Sequence, residues 1–204
     1  MFHWREEYFQ TLRDVAVEAR AFPDWADYAD FCSEYEKGLR RQAFAILERF
    51  IGELENAPFD KRRRFVSRIL NRANEREGRN MLIPHPLHRR VVEPTLLEWT
   101  TVEAGCSEPH RWLGDHEHLK LAVELDPDDQ LARKKLVVSL LSRVGFATHE
   151  LPQHGYIGSP SEGLAALDEA EALVRALRSD KDREQLTAAI AEERTLIDEY
   201  LRGS

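Results

Sequence analysis

Apolar residues recur along this chain at intervals of three and four, and that spacing, carried from Trp4 to Leu201, restricts the fold more than any other feature. It is the repeat of one face of an α-helix, whereas a half-buried strand would repeat every two residues. Trp4, Tyr8, Leu12, Val15 and Ala19 form the first such stripe, which Pro23 closes. Asp24 then stands where a cap belongs, and Trp25, Tyr28, Cys32, Tyr35, Leu39, Ala43, Ile46, Phe50 and Leu54 continue the spacing as one long helix or as two divided at Gly38. From Asp60 as the next cap, Phe65, Val66, Ile69, Leu70 and Ala73 make a third stripe that should fade near Gly78.

The texture changes over residues 81–114, where Pro84, Pro86, Pro94, Gly105, Pro109 and Gly114 admit only short helices, such as one opening at Pro94 and carrying Leu96, Leu97 and Trp99. Helical sequence returns from Asp115 to Leu125. Asp126 as cap, with Pro127 in the first helical position, predicts a helix through Leu131, Val138, Leu141 and Val144 that Gly145 ends. A loop over 146–158 follows, longer than the usual connection of about 4–6 residues, and loops of that length are disproportionately functional. Ser159 or Ser161 with Pro160 starts a helix bearing Leu164, Leu167, Ala170, Val174 and Leu177, and Asp180 caps a last one with Leu186, Ile190, Ile197 and Leu201. These two should pack as an antiparallel hairpin.

Glycine and proline are sparse, at 10 and 9 of 204 residues, while Leu, Ala, Glu and Arg are abundant. The expected fold is therefore all-α: a helical bundle or short α-solenoid of antiparallel helix pairs with an irregular Pro/Gly-rich middle. One domain spanning 1–204 is expected, the alternative being N-terminal helices over 1–80 and a C-terminal part over 81–204. No apolar run approaches the ~20 residues that a membrane helix needs. The start, Met1 to Glu7, lacks the basic and apolar regions of a signal peptide, and Cys32 and Cys106 stand apart as in a reducing compartment, so a cytoplasmic location is expected.

Leu119, Ala122, Leu125, Asp126 and Pro127 resemble the end of the second helix of a tetratricopeptide repeat, with a small residue five positions before the proline between repeats. At the repeat's period of about 34 residues, Trp99 and Val102 fall where its first helix carries large apolar residues. The pattern is broken at Glu103 and Asp115, where small residues are expected, and at Pro109. The likeness covers about 99–141, and it implies a concave helical surface that binds a protein or peptide, with no catalytic residue.

No nucleophile elbow, phosphate loop or dinucleotide fingerprint occurs, so the expectation leans away from an enzyme and names no catalytic residue. Seven of the eight histidines lie between 85 and 154, close to Cys106. Zinc gathers three or four N, S or O ligands, and His85 with His88, and Cys106 with His110, have spacings that put two ligands on one helical face. Those four are the candidate metal ligands, with His116 and His118 as further members, and a zinc protein or metal-dependent enzyme is the alternative reading. Against it, Pro86 and Pro109 interrupt those spacings and no established zinc motif is present.

Residues 61–90 hold ten Lys and Arg against two Glu in a chain of net charge −8. Arg64, Arg68, Arg72 and Arg76 repeat every four residues and would form one ridge able to meet phosphates or a carboxylate-rich partner. The acidic remainder, and the lack of an aromatic stacking set, argue against nucleic acid on the helix over 61–79. The preferred function is a non-catalytic interaction module for a protein or peptide, with Arg64, Arg68, Trp99, Trp112, His116, His154 and Tyr156 as contact candidates around a groove of the irregular middle and the 146–158 loop. A homodimer is compatible with the same stripes.

Overall fold

The computed structural model describes residues 6–75, 79–151 and 155–203; Trp4, Arg76, Gly78 and His154 lie outside them, together with the expectations placed on them. The described residues are helical with no strand, as the period of the apolar residues requires. None of their helices is long and apolar enough to cross a membrane. The chain forms two compact units, Met1–Ala104 and Gly105–Ser204.

In the first unit, α1 (Glu6–Ala19) buries Leu12, Val15, Ala16 and Ala19, and a 3₁₀ turn over Pro23–Trp25 leads into α2 (Ala26–Glu36). Trp25 is the residue before α2 and no side chain caps it, so Asp24 sits within the turn and not at the expected cap. Gly38 settles the question of one helix or two. Its φ of +79° is a left-handed backbone that glycine adopts without steric cost, and it separates α2 from α3 (Arg40–Glu55). Leu39 is thereby turned outward, and Leu47, Phe50, Ile51 and Leu54 supply the buried face of α3. α4 (Phe59–Glu75) buries the predicted Phe65, Val66, Ile69, Leu70 and Ala73.

Residues 79–102 pack against these helices, which is why they belong to the first unit. α5 (Arg79–Leu82) ends where Leu82 presents its carbonyl oxygen to the buried Tyr28 hydroxyl at 2.7 Å. α6 (His85–Leu87) runs through a π-helical segment, His88–Val92, into α7 (Glu93–Val102). Pro94 has no N–H for the preceding turn, and a widened turn directly before it accommodates that loss. Arg90 in the widened turn donates to Glu48 at 2.6 Å and Glu55 at 2.6 Å on α3. Trp25, Tyr28, Phe50 and Phe65 meet at the centre, with Phe65 edge-on to Tyr28 and Phe50 at 5.0 Å each and to Trp25 at 5.4 Å.

The second unit begins with α8 (Ser107–Leu113) and α9 (His116–Leu125), joined by Gly114 at φ +75° and by Asp115, whose carboxylate accepts from the His118 backbone N–H at 3.0 Å. Asp126 does not open the next helix. It closes α9, and Asp129 caps α10 (Gln130–Thr148), accepting from the Ala132 N–H at 2.9 Å. Gly145 does not end α10 either: a Cβ there would stand 3.3 Å from a Glu193 carboxylate oxygen, so the glycine serves close packing inside the helix. α11 (Pro160–Arg175) starts as expected, whereas α12 (Asp180–Gly203) is capped by Ser179, which accepts from the Asp182 N–H at 3.2 Å. Leu119, Leu136, Val137, Leu140 and Val144 close one core with Leu167, Ala170 and Val174 of α11 and Leu186, Ile190 and Ile197 of α12.

Candidate functional site

α10 is the central helix of the second unit, in contact with α8, α9, α11 and α12, and its apolar residues point in nearly every direction. Four of its residues remain exposed, Val138, Ser142, Arg143 and Phe146, and all lie on one side of the helix. Phe146 is 66% exposed and stacks on the His149 ring, with centroids 5.3 Å apart.

The loop after α10 turns back on this side of the helix. Gly155 at φ +86° and Gly158 at φ +94° give it left-handed backbone on both sides of Tyr156 and Ile157. The Ile157 N–H donates to the Ala147 carbonyl at 3.0 Å, fixing the loop to the last turn of α10. Tyr156 points inward: its hydroxyl occupies the place that a side chain at 163 would take, since a Cβ on Gly163 would fall 2.0 Å from it. Burial, and then the carboxylates of Glu193 and Glu162, push the Tyr156 phenol pKa up, so it stays a neutral hydroxyl. Ile157 points outward and is 43% exposed.

Between this loop, α10 and the first turns of α11 lies a cleft of about 140 Å³. Val144, Ala147, Ala166 and Ile157 line its apolar part, and Arg143 and Glu162 bring opposite charges to it. Its volume is below the roughly 300 Å³ at which small-molecule sites begin, and suits the anchoring side chain of a polypeptide better than a cofactor. Arg143 donates to Nε2 of His116 at 3.3 Å. An arginine can only donate, so Nε2 accepts and the proton of His116 resides on Nδ1, a buried atom that has no partner among the described residues.

Of the predicted contact residues, the structure brings Tyr156 and His116 toward this cleft, the latter through Arg143. Trp99 and Trp112 are core residues. Trp99 donates to Glu103 at 2.7 Å, and Trp112 lies under Lys135, whose Nζ is 4.0 Å from the ring centroid. Arg64 and Arg68 belong to the first unit, where the basic face of α4 is engaged by its neighbours. Arg72 pairs with Glu18 and Glu75, Arg62 with Glu98 at 2.7 Å, and Arg63 with Glu103 at 2.9 Å. Arg64 lies 3.8 Å from Asp24 and over the Trp25 ring, and Arg68 lies over Phe22. Phosphates would have to displace these carboxylates and rings.

The candidate metal ligands are divided between the two units. His85 and His88 lie in the first unit and Cys106 and His110 in the second, each pair on or beside helical backbone, because Pro86 and Pro109 occupy first turns where their missing N–H is not needed. Among the described residues no group of three or more His, Cys, Asp or Glu could hold a metal ion. His110 meets His118 instead, Nδ1 to Nδ1 at 2.8 Å, one ring donating and the other accepting. Burial lowers the His110 pKa, the neighbouring His118 lowers it further, and Asp115 opposes both.

His110 therefore gives a pH dependence of defined sign. In the unfolded chain it takes up a proton near the usual histidine pKa of about 6.5. In the folded state it does so at lower pH, so stability is complete above that range and declines as pH falls through it. Chemical denaturation of wild type should show this decline as pH falls below about 6.5, and His110→Asn should flatten it. A variant with the wild-type slope would contradict the assignment. Glu55 and Asp182, whose pKa values are lowered chiefly by hydrogen bonds from Arg90 and Lys134, lose their contribution only at more acidic pH.

Arg143, Phe146, Glu162 and Gly163 were not singled out by the sequence pattern. Their nearest signal was the Gly-Tyr-Ile-Gly segment of the long loop, whose two glycines bracket the residues that form the cleft wall. No known protein family, no curated protein and no solved structure matches this chain.

Proposed function

We propose that the chain is a non-catalytic helical binding module, and that its second unit receives a short segment of a partner protein in the cleft between α10, the 155–159 loop and α11. The observation that carries this reading is a cleft sized for one side chain and lined by the exposed Ile157 and Arg143, with the exposed Phe146 on the same helix as Arg143. Apolar groups beside a concavity, with a few charges at its margin, are the arrangement by which helical surfaces hold a peptide anchor. The resemblance to tetratricopeptide repeats implies a surface of the same kind. Both cysteines are free, in keeping with a cytoplasmic setting.

Selection of a displayed random decapeptide library on the full chain tests the proposal. Enrichment of one apolar anchor motif is expected, with binding lost in Ala166→Trp, which fills the cleft, and in Phe146→Asp, which alters only an exposed position. Circular dichroism checks that both variants fold. No enrichment, or binding unchanged in both folded variants, would refute it.

A further inference from the structure

The second unit is rich in arginine–carboxylate contacts, and one arginine departs from that rule. Arg111, Arg175, Arg178, Arg183 and Arg194 pair with carboxylates, and Arg133 and Arg202 donate to carbonyl oxygens. Among the described residues Arg143 has neither kind of partner; its one hydrogen bond goes to the Nε2 of His116. A neutral imidazole offers a single acceptor, whereas a guanidinium presents five donors in a fork that matches a carboxylate. Arg143 is also exposed, lines the cleft, and lies on the exposed side of α10, which carries no acidic residue.

We infer that Arg143 is the anchor for a carboxylate of the bound segment, so that the partner presents an apolar side chain to the cleft and an Asp, Glu or chain-terminal carboxylate beside it. This inference rests on the cleft being the binding site. The carboxylate takes Arg143 over from His116, exchanging one neutral acceptor for a charged and bidentate one. Glu162, on the α11 side of the same cleft, sets a limit: it repels a second acid there and favours a neutral or basic residue. The segment so defined is apolar at its centre, acidic on one side and not on the other.

Fluorescence anisotropy with labelled decapeptides of central leucine, bearing Asp or Asn at the positions on either side, reads this directly. The peptide with one Asp in the correct position should bind about tenfold more tightly than its Asn counterpart, the ratio expected for one charge-assisted hydrogen-bond pair. Asp on both sides should bind more weakly than Asp on the correct side alone. Arg143→Gln should abolish the Asp preference while leaving leucine-dependent binding, and His116→Ala, which removes the competing acceptor, should strengthen the Asp peptide by a few-fold. If Asp and Asn peptides bind alike and Arg143→Gln changes nothing, the carboxylate anchor is wrong and the cleft remains a peptide site. If neither peptide binds, or binding is the same in Ala166→Trp, the cleft itself is wrong.

Discussion

Replacing Phe65 by alanine is expected to destabilise the first unit by about 4 kcal/mol. Phe65 is fully buried and meets Trp25, Tyr28 and Phe50 edge-on, so the loss combines transfer energy, an unfilled cavity and three favourable ring contacts. Loss of a buried Phe side chain costs about 3–5 kcal/mol, and aromatic pairs add about 0.5–1.5 kcal/mol each beyond area, with overlap between the two terms. A small existing cavity of about 20 Å³ borders Phe65, Trp25 and Tyr28, so the vacated space would join it and limit the collapse that softens such mutations elsewhere. Urea unfolding with native-state hydrogen exchange locates the effect, and a loss below about 1.5 kcal/mol would show that the aromatic centre is not the core of this unit.

The second large effect is expected at Asp129, the cap that stands three residues beyond the one favoured by sequence. Its side chain is 3% exposed, accepts from Arg111 at 2.7 Å and satisfies the Ala132 N–H at 2.9 Å. Asp129→Ala removes both contacts and leaves Arg111 largely buried. Breaking a buried ion pair costs about 3–5 kcal/mol, and loss of a cap about 1 kcal/mol. Glu108 remains 3.5 Å from Arg111, which moves the expectation to the lower end, about 3 kcal/mol in all. Asp129→Asn retains a capping oxygen without the charge and should lie between wild type and alanine in denaturant midpoint. Equal losses for alanine and asparagine would assign the whole effect to the charge, and no loss for alanine would contradict the role of the pair.

The helical framework was legible because periodicity is a property of the chain itself. The stripes of α1, α4 and α11 are buried where the spacing of Leu12 and Val15, Phe65 and Ile69, and Leu167, Ala170 and Val174 places them. Boundaries were less so. Asp126, Asp128 and Asp129 all precede α10, and the choice among them depends on Arg111, which arrives from another helix. Gly145 looks like a helix stop locally, yet its reason is the approach of Glu193 from α12.

The site was harder to read for the same reason. The tryptophans at 99 and 112 are large enough to serve as anchors, but their burial is decided by neighbours distant in sequence. α10 is apolar nearly all round, so its pattern does not reveal that Val138 and Phe146 face outward. Arg143 is marked by having, among the described residues, neither the carboxylate nor the carbonyl partners that the other arginines of its unit have, which only the folded structure displays. The long loop, in contrast, was visible from its length and glycines, and it does form one wall of the cleft.

The most direct measurement is an amide NMR titration of the full chain with the single-Asp, leucine-centred decapeptide, together with the imidazole nitrogen shifts of His116. In the free protein His116 should show the Nδ1–H tautomer that its contact with Arg143 requires. On titration, shifts confined to residues 143–147 and 155–166 and a change at the His116 Nε2 are predicted. Shifts centred on the basic face of α4, or none at saturating peptide, would contradict the account.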